Sequence, residues 1–444
     1  MHELTAAMQE HLTWIKEVYK NDEKIYQLYE NGLVNTFQTT LNPKADGRTF
    51  VITGDIPAMW LRDSAAQMRN LLIFAREDEV IRNLISGVVK QQVEQILIDP
   101  YANAFNDGAT GQRFMDDHTD MKPEVWERKY EVDSLCYPVQ LAYLLWKGTD
   151  QTCHFDENFK KACYTIIDVF KTEQLHELES KYRFERDEDE EDRVIYETLP
   201  FGGRGNPVGV TGMTWSGFRP SDDACRYGYL IPSNMFAVVI LRYMEEIAGA
   251  VYHDRALEHM AADLARQIND GIQKYGIVKD EVYGEVYAYE VDGLGNYLLM
   301  DDANVPSLLA IPYFGYATAE DPIYRNTRQM LLSKKNPFYY HGKVLKGIGS
   351  PHTPQNYVWP IALAVQGMTS RDSSEIDEIY QMLKVSDAGT NLMHEGINVD
   401  DPACYTRPWF SWANAMFAEF VLSLNGIHIQ GSPLQLVLEK QNKI

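Results

Sequence analysis

Two kinds of helical segment alternate along this 444-residue chain, and the alternation limits the folds that it can adopt. The first kind is amphipathic. Between Glu79 and Leu97, for example, apolar residues recur at the spacing of a single helix face. Each such segment is predicted to form a helix with one face in solvent. Comparable stripes cover Thr5–Leu41, Glu157–Glu173, His253–Tyr275, Pro322–Lys334 and Ser374–Leu383.

The second kind of segment is apolar or small on nearly every side and follows a polar, aromatic-rich stretch. A helix that is apolar all round is buried all round. Together the two kinds predict an all-α fold, an (α/α)6 toroid in which six inner helices are enclosed by six outer ones. We expect one catalytic domain over residues 1–444, and a plain multi-helix bundle is the alternative. The inner helices are expected to begin near Pro57, Glu131, Ser233, Asp302, Asn356 and Arg407.

The longest segments without helical periodicity precede inner helices. Residues 100–130 and 176–232 are rich in Gly, Pro and charge and are predicted to be loops. Glu285–Val291, followed by Asp292 and Gly293, is typical of a short hairpin among these loops. In a ring, the loops that enter the inner helices gather at one end, where helix N-termini present free N–H groups. The sequence therefore predicts a funnel-shaped site at that rim.

The charge of the chain argues against several classes of partner. The formal net charge is −23 and no basic patch is present, so binding to nucleic acid or to an acidic membrane surface is not expected. Part of the negative charge lies in Glu185–Arg193, which is predicted to be a solvated loop. The sequence contains no run of about 18 apolar residues that could span a bilayer.

The cysteines and the N-terminal segment bear on cellular location. Five cysteines, an odd number without a Cys-x-x-Cys pair, argue against a disulfide framework and against a thiolate zinc site. The first residues have an amphipathic helical pattern rather than a basic start followed by an apolar run, so no signal peptide is predicted. We therefore expect a protein of the reducing cytoplasm.

The polar stretches ahead of the inner helices share an unusual mixture of carboxylates, arginines and aromatic residues. Carboxylates and arginines pair with neighbouring sugar hydroxyls, and tryptophan or tyrosine covers the C–H faces of a sugar. Hydrolysis of a glycoside needs two further carboxyl groups, one protonated and one ionised. The sequence contains no Gly-x-Ser-x-Gly, His-Glu-x-x-His or phosphate-loop motif. The mixture favours a glycoside hydrolase that acts on an oligosaccharide without a metal or cofactor.

Several of the polar residues in these stretches also have a structural alternative. An aspartate just before a helix commonly caps it, and a lone histidine is commonly structural or on the surface. The alternatives are N-capping by Asp133 and Asp302, a structural or surface role for His118, an internal ion pair between Arg62 and Asp63, and one capping and one solvated residue at Asp222–Asp223.

Four of the stretches resemble signature segments of glycoside hydrolase family 125, the inverting exo-α-1,6-mannosidases. They are GDIPAMWLRDSAAQM from Gly54, YEVDSLCYPVQLAYLLWK from Tyr130, GFRPSDDACRYGYLIPSN from Gly217 and HEGINVDDPACYTRPWFSWAN from His394. They come in the family's order and extend over most of the segment from Gly54 to Leu424. The resemblance implies an (α/α)6 fold, removal of terminal mannose from mannosides of the N-glycan type, and a reaction without a metal ion.

The resemblance also implies roles for individual residues. Asp222 corresponds to the family's general acid, with Asp223 as the other assignment, and Glu395 corresponds to its general base. Arg62 and Asp63 correspond to substrate contacts. From their positions at the rim we add as substrate-binding residues Trp60, Trp126, Asp133, Asn304, His352, Arg407 and Trp409.

The expected mechanism is a single displacement with inversion. Asp222 should be protonated at neutral pH, with its pKa raised by burial or by the neighbouring carboxylate of Asp223. Glu395 should be ionised and hold the attacking water, with His394 or Tyr405 orienting it. The alternatives are a calcium-dependent α-mannosidase of the family 47 type and a non-catalytic glycan-binding toroid.

Overall fold

The structure, a computed structural model, describes residues 3–187 and 197–441. It is mostly helical, and none of the described helices is long and apolar enough to cross a membrane. The helices are α1 Ala6–Val18, α2 Glu23–Asn35, α3 Leu61–Met68, α4 Glu79–Ile98, α5 Val132–Thr149, α6 Glu157–Gln174, α7 His176–Glu179, α8 Pro200–Gly203, α9 Ile231–Ile247, α10 Arg255–Gly271, α11 Ile311–Phe314, α12 Pro322–Leu331, α13 Pro360–Thr369, α14 Ser373–Lys384, α15 Ser411–Leu424 and α16 Pro433–Gln441.

The amphipathic segments form helices that begin at a polar side-chain cap. In α1 the hydroxyl of Thr5 accepts a hydrogen bond from the first turn. The predicted stripe at Thr5–Leu41 is divided into α1 and α2, because a second cap at Asp22 starts a new helix. An aspartate cap of this kind stabilises a helix by about 0.5–2 kcal/mol. The aspartates that cap α2, α4, α6, α10, α12 and α14 are Asp22, Asp78, Asp156, Asp254, Asp321 and Asp372.

Most of the buried segments form helices of a different kind. Nearly all side chains of α3, α5, α9, α13 and α15 are buried, as the sequence predicts. Each of these helices follows an extended residue whose side chain makes no capping hydrogen bond. First-turn N–H groups of these helices bond instead to partners distant in sequence: that of Val132 in α5 donates to the Ser216 hydroxyl at 3.2 Å, and that of Leu61 in α3 to the Asn103 carbonyl at 3.0 Å.

The prediction of the fourth inner helix is wrong over most of its length. In the segment that begins at Asp302, only the single turn α11 is helical. The segment contains two prolines, which supply no N–H for a helical ladder. The carboxylate of Asp301 instead accepts the N–H groups of Leu308 and Leu309, both at 2.9 Å. These bonds hold the chain in a compact turn that stands where a helix is predicted.

The buried helices pack on one another in a closed order. Helix α3 packs on α5, α5 on α9, α9 on α11, α11 on α13, α13 on α15, and α15 returns to α3. Capped helices lie against this set, with α2 on α15, α4 on α5, α10 on α9 and α14 on α13. One continuous apolar core, from Met8 in α1 to Ile429 after α15, joins both sets. Helices α2 and α15, from opposite ends of the sequence, thus pack directly on each other.

Short antiparallel strands occupy the loops between helices. Residues 100–130 contain no helix, as predicted for a loop, but they do contain short strands that were not predicted. In the other predicted loop, residues 176–232, the described part includes the single-turn helices α7 and α8 and the start of α9. The hairpin across Asp292 and Gly293 is confirmed. The strands are β1 Leu41–Pro43, β2 Thr49–Val51, β3 Met59–Trp60, β4 Ala104–Phe105, β5 Asp117–His118, β6 Val125–Glu127, β7 Glu185–Arg186, β8 Tyr229–Leu230, β9 Ile277–Asp280, β10 Gly284–Tyr287, β11 Glu290–Val291, β12 Tyr297–Leu298, β13 Tyr339–His341, β14 Lys346–Ile348, β15 Tyr357–Val358 and β16 Ile397–Asn398. They pair as β1–β2, β9–β10, β13–β14, β15–β16 and β5–β7, and as the three-stranded sheets β12–β11–β8 and β3–β4–β6.

The acidic stretch Glu185–Arg193 lies only partly within the described ranges, which omit residues 188–196. Its first two residues form β7, and Arg186 is buried there. The Arg186 guanidinium donates to Asp117 at 2.6 Å and to Glu127 at 2.8 Å. The prediction of a solvated loop is therefore wrong for Arg186, which is buried with its charge neutralised by these carboxylates. His118 is exposed beside Asp187, as the surface alternative for this histidine predicts.

A buried ion pair joins four of the inner elements. Arg69, directly after α3, donates to both oxygens of Glu419 in α15, at 3.1 and 3.0 Å. The same guanidinium donates to Gln140 in α5 at 3.0 Å. The hydroxyl of Tyr313 in α11 donates to Glu419 at 2.7 Å. Bidentate geometry and burial give this network a strength that exposed ion pairs lack.

Replacing Arg69 by methionine should therefore destabilise the protein strongly. The change leaves the Glu419 carboxylate buried without its cation, which we expect to lower the free energy of unfolding by about 3–5 kcal/mol. Urea denaturation measures the loss. The matched control is Arg266→Met, which breaks an exposed pair with Asp263 and should lower the free energy of unfolding far less, because solvent screens that pair. Equal losses for the two variants would contradict the role given to the buried pair.

Candidate active site

A cavity opens among the loops that precede α3, α9, α13 and α15. The space between its walls, part of which is open to solvent, measures about 380 Å³. Eight of the predicted site residues line it: Trp60, Arg62, Asp63, Asp222, Asn304, His352, Glu395 and Arg407. The other lining residues, which sequence reasoning missed, are Thr53, Ile56, Pro220, Ser221, Trp359, Phe410 and Trp412.

Arg62, in the first turn of α3, is surrounded by four carboxyl groups. Its Nη1 donates to Glu131 Oε2 at 2.6 Å and to Asp133 Oδ2 at 3.3 Å, and its Nη2 donates to Asp222 Oδ1 at 3.1 Å. The predicted ion pair with Asp63 is present, with Nε 3.5 Å from Oδ2. One guanidinium cannot neutralise four buried carboxylates, so their pKa values must separate.

Asp222 is held ionised in the unliganded protein. Burial by itself would raise its pKa, but the Arg62 guanidinium and a hydrogen bond with Glu131 hold the pKa well below its usual range. Asn103 also donates to the same oxygen, at 3.4 Å. The expectation that the pKa of Asp222 is raised is therefore wrong for this state. The reason is that a guanidinium, and not the Asp223 carboxylate, is bonded to it.

Glu131 and Asp133 lie against Arg62 with fully buried side chains. Burial, followed by the negative charges of Asp222 and Asp133, raises the pKa of Glu131 well above its usual range. Burial also raises the pKa of Asp133 to about 6. Asp133 lies inside the first turn of α5 and makes no cap, so that alternative is wrong. It supports Arg62 and does not line the cavity.

Asp223 and His352 form a second ion pair, in which the His352 side chain is 31% exposed. The Asp223 side chain is buried, and its Oδ1 lies 3.0 Å from Nδ1 of His352. Burial alone would lower the pKa of His352, but the hydrogen bond and the charge of Asp223 raise it to about 10. His352 therefore carries a positive charge in the cavity at neutral pH. The capping-and-solvated alternative for Asp222–Asp223 is wrong, since both carboxylates face cations.

Asn304 reaches the cavity from the turn ahead of α11. Its side-chain amide donates to Asp302 Oδ1 at 3.0 Å, which fixes the direction of the amide group. Asp302 is fully buried, and burial followed by the charge of Asp223 raises its pKa. No helix begins at Asp302, so it is not an N-cap. Its observed role is to hold Asn304 in the wall of the cavity.

Glu395 lines the cavity from the loop before α15. A cation lies beside it, because Nη1 of Arg407 is 3.7 Å from Glu395 Oε1 and the same guanidinium pairs with Asp55. The ring nitrogens of His394 bond elsewhere, at 3.0 and 3.1 Å, and Tyr405 stacks on that ring. The expectation that His394 or Tyr405 orients Glu395 is therefore not met by a hydrogen bond. Arg407 is the group placed to do so.

The position of Asp55 depends on a close approach at Gly54. A side chain added at Gly54 would lie 2.5 Å from the Trp409 carbonyl oxygen, and its φ is +132°. The approach lets Gly54 form a backbone bridge with Phe410. It also lets the Asp55 N–H donate to the Trp409 carbonyl at 3.3 Å. Segments from opposite ends of the chain thus share this wall of the cavity.

Two of the predicted aromatic contacts lie outside the cavity wall. Trp126 packs edge-on against Phe114, with the ring centroids 5.9 Å apart. Trp409 turns its indole N–H toward Asn35, to which it donates at 2.8 Å. Both residues belong to the loops around the cavity, as predicted. Their rings are used to pack those loops against neighbouring segments.

The aromatic rings that do line the cavity share a position in the fold. Trp60 directly precedes α3, Trp359 directly precedes α13, and Trp412 is the second residue of α15. Sequence reasoning selected the first and missed the other two. The sequence signal for these residues was a tryptophan at the start of a buried helix, where the chain passes from a loop into the helix.

The charged groups of the cavity are paired with one another. Within residues 3–187 and 197–441, no three His, Cys, Asp or Glu side chains are grouped so as to hold a metal ion. Arg62, His352 and Arg407 supply the positive charge. Asp222 and Glu395 both reach the cavity, so the arrangement can present two carboxyl groups to one bound molecule.

Known proteins resemble the chain along most of its length. A family model described as metal-independent alpha-mannosidase (GH125) matches residues 22–422. The Meiotically up-regulated gene 157 protein of Schizosaccharomyces pombe is 41% identical over 427 residues, which cover 91% of this chain and 82% of that protein.

Solved structures agree with this family match. A metal-independent alpha mannosidase of Streptococcus pneumoniae, in a non-productive substrate complex with alpha-1,6-mannobiose, is 47% identical with a TM-score of 0.93, covering 96% of this chain and all of that one. A bacterial glucoamylase complexed with acarbose has a TM-score of 0.59 at 12% identity over 91% of this chain and 56% of its own, which shows likeness of fold alone. The chain belongs to glycoside hydrolase family 125, the metal-independent α-mannosidases.

Proposed function

We propose that this family 125 enzyme removes terminal, non-reducing α-1,6-linked mannose from mannosides of the N-glycan type, with inversion at the anomeric carbon. One observation carries the proposal. Asp222 and Glu395, which the family resemblance assigns as general acid and general base, line the same small cavity. The α-1,6-mannobiose bound to the Streptococcus pneumoniae enzyme supports the linkage. Family membership removes the calcium-dependent family 47 alternative.

The fold that we propose is an (α/α)6 toroid forming a single domain over residues 1–444. The closed packing order from α3 through α15 and back to α3 supports an inner ring of six elements, of which α11 is a single turn. Helices with side-chain caps lie against that ring. The likeness of fold to bacterial glucoamylase supports the same arrangement.

The cavity suits the end of a glycan better than its interior. The space is small and partly open to solvent, and charged side chains surround it. Arg62, Asp63, Asn304, His352 and Arg407 offer donors and acceptors to the hydroxyls of one sugar ring. A pocket with polar groups converging on one ring favours release of single mannose units.

In the proposed reaction the two carboxyls act on opposite sides of the glycosidic bond. A protonated Asp222 gives its proton to the glycosidic oxygen as the C–O bond breaks. Glu395 accepts a proton from a water molecule, whose oxygen attacks the anomeric carbon from the other face. The positive charge that develops on the sugar ring is stabilised by the nearby carboxylates, Asp63 among them. The product is β-mannose.

The proposal predicts both the linkage and the anomer of the product. Incubation with α-1,2-, α-1,3- and α-1,6-linked mannobiose should release mannose fastest from the α-1,6 compound. Proton NMR taken before mutarotation should show β-mannose first, because inversion places water opposite the leaving group. Retained α-configuration would exclude the single-displacement mechanism. Binding without release of mannose would leave the glycan-binding alternative in place.

Substitution of Asp222 and substitution of Glu395 should reduce activity in different ways on different substrates. Asp222→Asn removes the proton donor, so we expect a loss of about 10²–10⁴-fold in kcat on mannobiose and a much smaller loss on dinitrophenyl mannoside, whose leaving group needs little protonation. Glu395→Gln removes the activation of water, which both substrates need. Its losses should be alike on the two substrates. Equal losses for Asp222→Asn on both would show that the acid lies elsewhere.

Trp60 should contribute to binding through its place in the wall. Changing it to alanine removes a buried aromatic face, and we expect mannose to bind more weakly by about 1–3 kcal/mol. Calorimetric titration with mannose measures the change. The matched control is Trp146→Ala, since Trp146 lies near the C-terminal end of α5 and does not line the cavity. An unchanged mannose Kd for Trp60→Ala would exclude a sugar contact there.

We also propose that the protein works in a reducing compartment, the cytoplasm. All five of its cysteines are free thiols in the structure, and the buried ones, such as Cys136 and Cys163, lie in helices without a sulfur partner. Free thiols are the usual state of cysteines in that compartment. The partner that it requires there is a mannose-containing oligosaccharide.

A further inference from the structure

Two carboxyl groups beside the cavity share one guanidinium. Glu131 Oε2 lies 2.6 Å from Nη1 of Arg62, and Asp222 Oδ1 lies 3.1 Å from Nη2. The Glu131 side chain is fully buried, whereas the Asp222 side chain is 23% exposed. The two carboxyls therefore bond to different nitrogens of the same guanidinium. Asp222 is thus the outer member of a pair whose inner member has no access to solvent.

Two ionised carboxylates that share one guanidinium repel each other, and a proton on one of them removes that repulsion. The second oxygen of Glu131, Oε1, is buried and receives no hydrogen bond from a described residue. Leaving such an oxygen both ionised and without a partner is costly, and a proton relieves the cost. Oε2 already accepts from Arg62 and from the Ser134 hydroxyl, at 2.6 and 2.7 Å. The geometry therefore places the proton of the pair on Glu131.

We propose that Glu131 is a positioning residue that holds the proton which Asp222 delivers to the leaving group. The inference rests on the proposed role of Asp222 as general acid. In the unliganded protein Arg62 keeps Asp222 ionised and the proton stays on Glu131. When a glycosidic oxygen reaches Asp222, the O–H bond of Glu131 breaks and one forms on Asp222. That bond breaks in turn as the proton passes to the leaving oxygen.

The cycle balances through the solvent. The leaving sugar carries the proton away as a hydroxyl group, and both carboxyls are then ionised beside Arg62. Asp222, the exposed member, takes up a proton from water and returns it to Glu131. No further reactant is needed. Glu395 releases to the solvent the proton that it took from the attacking water, which completes the balance.

The surrounding charges favour one proton on the pair, not none and not two. Negative neighbours oppose loss of the last proton, and positive neighbours oppose gain of a second one. The groups that face Glu131 are Arg62, Asp133, Asp222 and the Cys225 thiol. Those that face Asp222 are Arg62, Glu131, Lys129, His352 and Asp63.

The test is the pH dependence of Glu131→Gln. Glutamine keeps the size and the hydrogen bonds of the side chain but cannot pass a proton on. Asp222 then titrates alone beside Arg62, with a low pKa. We expect the alkaline limb of kcat/KM, which reports the acid, to move to lower pH by about one to three units. The acidic limb should stay where it is, because the change leaves the general base in place.

A second, smaller change should move the same limb in the other direction. Ser134→Ala removes the hydroxyl that stabilises ionised Glu131, so the pair should keep its proton to higher pH. This variant loses a single oxygen, so folding is less at risk than with Glu131→Gln. The matched control is Glu419→Gln, a buried carboxylate paired with Arg69 and not in contact with Asp222. It should reduce stability and leave both limbs unmoved.

The outcomes separate this inference from the proposed function. A loss in Glu131→Gln that is equal at every pH, with the alkaline limb unmoved in Ser134→Ala as well, would make Glu131 merely structural. If Asp222→Asn lowers kcat equally on mannobiose and on dinitrophenyl mannoside, the proposed role of Asp222 as general acid would instead be overturned. Opposite shifts of the alkaline limb, with the expected Asp222→Asn behaviour, would support both.

Discussion

Arg62 gathers carboxyl groups from three parts of the chain around one positive charge. Its own position is fixed by the first turn of α3, and its partners come from the start of α5 and from the loop before α9. Because the guanidinium is buried and permanently charged, these partners must share it. The result is a graded set of carboxyls, with Asp222 ionised and Glu131 protonated. Loss of this cation would alter the ionisation of the whole site at once.

The two classes of helix differ at their first turns, and this difference separates stability from activity. Most capped helices begin with an aspartate that satisfies their N–H groups, so their starts need nothing else. The buried helices begin without such caps, and residues at their starts, such as Trp60, Trp359 and Phe410, line the cavity. The starts of α3, α13 and α15, which have no aspartate cap, border the cavity.

Much of the fold and part of the site follow from the sequence. Helices such as α9 and α15 are apolar on every side, a pattern that predicts burial directly. The segment that begins at Asp302 is also apolar, but most of it packs as a turn held by Asp301 and not as a helix. Composition alone does not distinguish a buried turn from a buried helix. Motif positions locate Asp222 in the cavity. Its ionisation state depends on Arg62, 160 residues away, which only the folded chain brings near.

The closed packing order has a consequence for how the chain is made. Helix α3 emerges from the ribosome early, yet one of its packing partners, α15, is synthesised more than 340 residues later. Until then the apolar surface that α15 will cover stays open, and the wall where Asp55 meets Arg407 does not exist. Glu395 is likewise added late. A nascent chain can therefore acquire neither a closed core nor a complete pair of carboxyls before translation is nearly finished.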